Sequence, residues 1–562
     1  MKNLVSRIGV GSVAGLVALC AAVQAEGAAL KPKALLIMLD GFRADVMLNG
    51  SMPNVDRLRE GKWQPGYSCA WSATGQTIVD APTVSAPNHT AIATCVNAQK
   101  TKVFDNGQTQ KGLFDQWPTW LMRLARANPS FKAYSVYSWN DGDNYPRHPQ
   151  ITHIRTPEGV HSCDADENNA AAVAKLLAAA DGPDAIQYFV NMPDSYGHRT
   201  GYYPYGTGYL NSIATCDRYI GGCLKAIASR PTFAEEDWVI TLTGDHGGYG
   251  RGHGQWGGHA STVPVVITSR HVPQGRIPGV PRHYDLTATV LAHFGQDPVK
   301  LNLDGRPITR VAPQQPARAL TDSLVAYLPF NTPTPENAIA GGPVAKAIGP
   351  RVVMGDRYSG FAKGCLCLRD AKGPASAVLL EGSDKLPFEN GNNFTVTLWV
   401  RHGAIEKDMG DPAIFGNKDW SKGVNPGVVL AAGRRAFGAH RPGICFNTGV
   451  TGNRVQRIDL GTYDVVPGKW TFYAVTMDAE GTLTFYQGAP DGYLYWLSDR
   501  APDMALHALP FCIGQDGTGH YAKTFNGDID DFALWTRSLT RDEIRRIFDA
   551  GRQGAELGDL LK

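Results

Sequence analysis

Three short segments in the first half of the chain bring Asp and His together in tight groups. "IMLDGFRAD" carries Asp40 directly after an apolar run. "NMPDSYGHRTG" carries Asp194 and His198, four residues apart. "TLTGDHGGYGRGHGQWGGH" carries Asp245 and His246 side by side, followed by His253 and His259. Carboxylate oxygens and imidazole nitrogens are the usual ligands of zinc and similar divalent ions. Each group alone has a plainer meaning, since Asp40 can begin a turn and Asp194 can cap a helix. Their joint pattern points to metal chemistry, because three strand ends deliver Asp and two of them also deliver His. A fourth segment, "DAPTVSAPNHTAIATC" (80–95), sets the Ser85 hydroxyl where helical spacing begins. Ser85 is either a helix cap or a nucleophile at a helix N-terminus, where backbone donors and positive potential suit a phosphate oxygen. Pro87 fits the first helical turn, where its missing N–H costs little.

These residues need a frame, and the hydrophobic pattern supplies one. "KALLIMLD" (33–40), "AYSVYSW" (133–139), "AIQYFVNM" (185–192), "WVITLTGD" (238–245) and "TVPVVITS" (262–269) read as buried strands. Between them "WLMRLARA", "NNAAAVAKLLAAA" and "YLNSIATCDRYIGGCLKAIA" have helical spacing. The alternation predicts an α/β fold, a mostly parallel sheet with helices on both faces. In such sheets ligands sit at the carboxyl ends of strands, where Asp40, Asp194 and Asp245 fall. After about residue 300 the texture changes. "VAPQQPARAL" reads as a linker, and short alternating runs such as "FTVTLWVRHG", "KWTFYAVTMD" and "DDFALWTRSL" predict an antiparallel sandwich. The expected organisation is a signal peptide over 1–25, a catalytic domain over 26–310, a linker over 311–324 and an all-β jelly-roll domain over 325–562.

Composition narrows the class. The chain has 562 residues, 19% of them charged, and a formal net charge of +2, so no large field invites a nucleic-acid polymer or an acidic membrane. Lys2 and Arg7 precede an apolar stretch ending in "VQA" at Ala25, the pattern of a secretory signal, and the expectation is an exported protein, periplasmic or secreted. No later segment reaches membrane-spanning length. Nine cysteines follow Cys20, and export permits disulfides, although an odd number leaves one unpaired within a monomer. Cys365 and Cys367 are too close for an ordinary pair, so each is expected to have a distant partner.

In order along the chain, "LDGFRAD", "TVSAPNHT", "MPDSYGH" and "GDHG" resemble the alkaline phosphatase superfamily, and most nearly its type I phosphodiesterase/nucleotide pyrophosphatase branch. The resemblance covers about residues 33 to 300. It implies two zinc ions per chain. Asp40, Asp245 and His246 hold one, with the nucleophile Ser85 as a further ligand, and Asp194, His198 and a later His hold the other. His253 is the first choice for that later His and His259 the alternative. The implied reaction is phosphoric ester hydrolysis through a phospho-serine intermediate at Ser85. Asn106, 21 positions after Ser85, matches a branch residue that donates to a phosphoryl oxygen, though Asn-Gly is also a turn signal. Trp139 and Asn140 follow a strand and line the leaving-group side of the pocket, unless Trp139 belongs to the core. Sulfatases of the superfamily modify a (Cys/Ser)-x-Pro-x-Arg motif, but here His89 stands where Arg is required. A phosphomonoesterase, a phosphotransferase and a glycan-binding protein with a silent catalytic domain are the other readings.

The second half resembles a laminin-G or concanavalin A-like jelly roll through "LVAYLPFN", "FTVTLWV", "GKWTFYAVT" and "FNGDIDDFALWTRSLTRDEI". Such modules often bind glycans and many carry calcium, for which Asp528, Asp530 and Asp531 offer carboxylates, unless they form only a solvated loop. The expected substrate is a phosphate-ester small molecule or a phosphorylated glycan or lipid headgroup.

Overall fold

The computed structural model describes residues 30–49, 51–155, 162–204, 206–254, 258–312, 318–349, 353–355, 364–369, 376–389, 391–404, 410–422, 425–433, 443–449, 455–460, 465–488, 492–500 and 509–562. The expected signal peptide over 1–25 and part of the expected linker, 313–317, lie outside the described residues.

The first half is built on strands β1 (Lys31–Leu39), β2 (Ser68–Gln76), β3 (Ala133–Tyr137), β4 (Ile151–Arg155), β5 (Ala185–Val190), β6 (Glu236–Gly244), β7 (Thr262–Ser269) and β8 (Gly275–Arg276). Its helices are α1 (Pro53–Arg59), α2 (Ser85–Thr94), α3 (Ala98–Thr101), α4 (Trp120–Ala127), α5 (Ser162–Ala178), α6 (Met192–Thr200), α7 (Thr207–Ala228), α8 (Gly258–Ser261) and α9 (Asp285–His293). The strands form one sheet in the order β4-β3-β5-β1-β6-β7-β2-β8. From β4 to β6 every neighbour is parallel, and β7 pairs antiparallel with both β6 and β2. β5 is buried along its whole length and β1 over its last seven residues, as strands covered on both faces must be. Leu35, Ile37 and Leu39 of β1 pack into one core cluster, and Ala34, Leu36 and Met38 pack into another. The period-2 alternation of side chains thus feeds two cores, one under each helical layer.

The second half forms two antiparallel sheets, one of seven strands and one of eight. Leu398, Val400, Phe532 and Leu534 of one sheet meet Phe415, Leu430 and Phe446 of the other in a common core. This is a concanavalin A-like sandwich following a mostly parallel α/β domain. The sandwich also packs on the first half: Trp399, Phe472, Trp496 and Trp535 join the core cluster that contains Leu35 and Ile37. Gln76 donates to the Ser498 carbonyl at 3.2 Å, and Tyr493 donates to the Asp45 carbonyl at 3.4 Å.

Trp535 is fully buried, and its Nε1 donates to the Leu320 carbonyl at 2.7 Å, fastening the segment that enters the sandwich. Trp535→Ala is expected to cost about 3–5 kcal/mol. Denaturant unfolding followed by circular dichroism checks this, and a loss below about 1 kcal/mol would show that the site collapses around the smaller side chain.

Two expectations about the sandwich are corrected. Cys365 and Cys367 have no distant disulfide partner among the described residues; their sulfurs face each other at 3.6 Å. Both sit on one short strand, where residues two apart point to the same side. The side chain of Cys163 lies outside the described residues. Asp528, Asp530 and Asp531 are not a solvated loop either, because they are buried in the strand Gly527–Trp535. Each has a protein partner. Asp528 accepts from Arg369 and from Arg401, Asp530 from the Asp531 N–H at 2.8 Å, and Asp531 from the Leu557 N–H at 2.9 Å. Two guanidiniums beside Asp528 offset its negative charge.

Candidate active site

The carboxyl ends of β1, β5 and β6 open onto one place. Asp40 follows β1, Asp245 and His246 follow β6, and α6 starts two residues after β5, carrying Asp194 and His198 one turn apart. The i, i+4 spacing puts the last two on one face of the helix. Gly41 makes the close approach of these strand ends feasible. Its φ is +71°, its N–H donates to Asp245 at 3.0 Å, and a Cβ there would meet the Asp194 backbone at 2.9 Å. Gly247, next to His246, lies so near the His259 carbonyl that a Cβ would sit 1.9 Å from it.

Ser85 is the first residue of α2, and the N-cap position belongs to Val84. The cap reading of Ser85 therefore does not hold. Its Oγ lies 3.2 Å from His246 Nε2 and is buried. Around that nitrogen, Asp40 Oδ1 is at 3.4 Å and Asp245 Oδ2 at 3.3 Å. A second group adjoins the first: His198 Nε2 is 3.1 Å from His253 Nε2 and 3.4 Å from Asp194 Oδ2, and His253 Nε2 is 3.6 Å from Asp194 Oδ1. Ligand atoms of Asp40, Asp194 and His246 also lie within 4.8 Å of one another, so the two groups are continuous. His259 is elsewhere. It is buried 3.9 Å from Asp45 and edge-on to Tyr495 of the sandwich, and burial pushes its pKa down to about 3.

The tautomers decide what these groups can hold. His246 Nδ1 is 2.8 Å from the Gly247 carbonyl, His253 Nδ1 2.8 Å from that of Thr83, and His198 Nδ1 2.9 Å from that of Arg251. A carbonyl only accepts, so each Nδ1 carries the hydrogen, and the tautomer able to ligate a metal turns the lone pair of Nε2 inward. Two such lone pairs 3.1 Å apart, beside a carboxylate, repel unless a cation lies between them. Buried Asp40 Oδ1 and Asp245 Oδ2 have no hydrogen-bond partner among the described residues. This donor set fits divalent cations, zinc in particular, with backbone carbonyls orienting the imidazoles.

Burial first, then the charges of Asp245 and Asp194, push the Asp40 carboxyl up to about 6. Crowded carboxylates raise one another in this way, and a bound cation reverses the effect. Burial, and then His246, lower the His253 imidazole, which keeps it neutral and able to ligate.

His89 belongs to the site and was missed in the sequence. Its Nε2 lies 3.3 Å from Asp40 Oδ2 and 3.1 Å from Asp245 Oδ2. These are close charge contacts, not aligned hydrogen bonds. Burial works against its protonation, but Asp245 and Asp40 override burial and bring its pKa to about 10. The signal was available: His89 is four residues after Ser85, hence on the same face of α2. Asn106 sits at the start of α2, its Oδ1 accepting the Ala86 N–H at 2.9 Å. Trp139 stands edge-on to His89 and lines, with Asp40, Tyr137 and Phe189, a small, partly open pocket. Asn140 is exposed and does not line it.

No curated protein matches the chain. A solved structure of murine ectonucleotide pyrophosphatase/phosphodiesterase 5, an inactive variant in complex with AMP, is 13% identical, covers 49% of this chain and 96% of its own, and superposes with a TM-score of 0.36. A 2-O GAG sulfatase is 12% identical over 50% of this chain and 76% of its own, with a TM-score of 0.36. The binding domain of Paraclostridial Mosquitocidal Protein 1 is 15% identical over 41% of this chain, which spans 52% of that protein, with a TM-score of 0.31. Family models match two separate segments. Residues 34–249 match type I phosphodiesterase/nucleotide pyrophosphatase, and residues 373–545 match the concanavalin A-like lectin/glucanases superfamily.

Proposed function

We propose that this protein is an exported two-metal phosphoric ester hydrolase of phosphodiesterase or nucleotide pyrophosphatase type, with Ser85 as its nucleophile. The observation that carries this reading is the set of inward Nε2 lone pairs on His198, His246 and His253 beside Asp40, Asp194 and Asp245. Asp40, Asp245, His246 and Ser85 would hold one zinc ion, and Asp194, His198 and His253 the other. Such ions, when bound, neutralise charge on phosphoryl oxygens and make a neighbouring hydroxyl easier to deprotonate.

The chain's own groups account for the rest. Ser85 Oγ forms a bond to phosphorus as the bond to the leaving oxygen breaks, giving a phospho-serine that water then cleaves. The start of α2 directs the positive end of the helix dipole at the phosphoryl group. Asn106 holds the Ala86 N–H through Oδ1, which leaves the two hydrogens of Nδ2 for a phosphoryl oxygen. The cavity beside Trp139 and Phe189 gives an apolar wall to an organic group. For the sandwich we propose carbohydrate binding, the role common in its class.

Diesters fit better than monoesters. A monoester brings up to two negative charges and calls for cations, whereas the Arg and Lys side chains nearest in sequence are engaged elsewhere. Arg43 is bound to Asp45 and the Tyr202 carbonyl, Arg147 to Asp143 and Tyr137, and Lys100 to Asp304 and the Asn302 carbonyl. Lys102 is exposed at the end of α3. Assay against an aryl diester, the matching monoester and an aryl sulfate is expected to give the diester a kcat/KM at least about tenfold above the others. Asn106→Ala should narrow that gap. Preference for the monoester, unaffected by Asn106→Ala, would place the enzyme with the phosphomonoesterases.

A further inference from the structure

The sandwich contains a pair of thiols for which the proposed hydrolysis has no use. Cys365 and Cys367 are the two ends of a three-residue strand that pairs with Val353–Gly355 on one side and with Gly527–Trp535 on the other. Their sulfurs are in contact at 3.6 Å. Two residues of extended strand span about 6.7 Å between Cα atoms, at the upper end of the range that a disulfide bridges. Closing the ring thus needs rotation of two side chains and slight puckering of one short strand.

The two sulfurs are not equivalent. Cys365 is fully buried and Cys367 is partly exposed. A hydrogen bond from Cys365 is the largest influence on the Cys367 thiol and lowers its pKa; burial and then the Asp528 carboxylate oppose this, and the Arg369 charge assists. The same contact, then burial, raises that of Cys365. The reachable sulfur is therefore the better thiolate, and the buried one is placed to attack it. Disulfide exchange requires this division of labour between an accessible nucleophile and a resolving thiol.

We propose that Cys365 and Cys367 are a redox-active dithiol, closed to an intrastrand disulfide by exchange with an external disulfide. The Cys367 thiolate attacks one sulfur of that disulfide, forming a mixed disulfide and expelling the first thiolate. Cys365, losing its proton, then attacks the Cys367 sulfur and expels the second. The pair loses two electrons and two protons, and the external disulfide leaves as two thiols.

The test uses the full chain and oxidised glutathione. After equilibration, remaining thiols are alkylated and the peptide spanning 365–367 is weighed. The expected result is an unalkylated peptide lacking two hydrogens, which dithiothreitol converts to the doubly alkylated form. With Cys365→Ser, glutathione should stay on Cys367. With Cys367→Ser, adduct at Cys365 should be at least about tenfold lower. The proposal is overturned if both thiols remain alkylatable, if either is joined to another cysteine, or if they are shielded by bound zinc with no loss of hydrogen.

Discussion

Ser85→Ala is expected to lower kcat on every substrate by about four to six orders of magnitude while leaving the metal content unchanged. The argument is geometric. Ser85 Oγ is the one hydroxyl held 3.2 Å from His246 Nε2 at the start of α2, and Val84, not Ser85, occupies the cap position. Removing the oxygen thus takes away the nucleophile and costs the helix no cap. Asp40, Asp245 and His246 remain to hold a cation, and the second group does not include Ser85. A variant that keeps more than a tenth of wild-type turnover would show that another group, such as a water, attacks phosphorus.

His253→Ala is expected to lose about one equivalent of bound metal and to lower kcat/KM at least about a hundredfold. His253 Nε2 faces His198 and Asp194, its Nδ1 is fixed by the Thr83 carbonyl, and its ring stacks on His246 at 3.8 Å between centroids. His259→Ala should keep both metals and stay within about tenfold of wild-type activity. Its ring packs between Asp45 and Tyr495, where it supports the contact with the sandwich. Its expected defect is in stability, read as a lower unfolding midpoint. Equal loss of metal in both variants would contradict this division between the two histidines.

Much of the frame was legible because buried parallel strands write continuous apolar runs. "KALLIMLD" and "AIQYFVNM" correspond to β1 and β5 within two residues at each end. β2, "SCAWSATGQ", was not legible. Its small and polar residues carry no clear period, and its register shifts between Ser72 and Gly75 where it meets β7. It joins the sheet through β7 and β8, partners far away in sequence. The Asp and His groups stood out because they end strands, whereas His89 did not, since its role comes from facing Asp40 and Asp245 across the fold. The cysteines misled for a local reason: spacing suggested that Cys365 and Cys367 were too close to meet, yet residues two apart on a strand share a side. Asp528 looked available to calcium because nothing in "NGDIDDF" reveals that Arg369 and Arg401 converge on it.

The most direct test of the two-metal site is a crystal of the protein as isolated, with diffraction recorded on both sides of the zinc absorption edge. The account predicts two anomalous peaks per chain, one among Asp40, Ser85, Asp245 and His246 and the other among Asp194, His198 and His253. No peak at either place in fully active crystals, or a peak bound by His259 with His253 turned away, would contradict it.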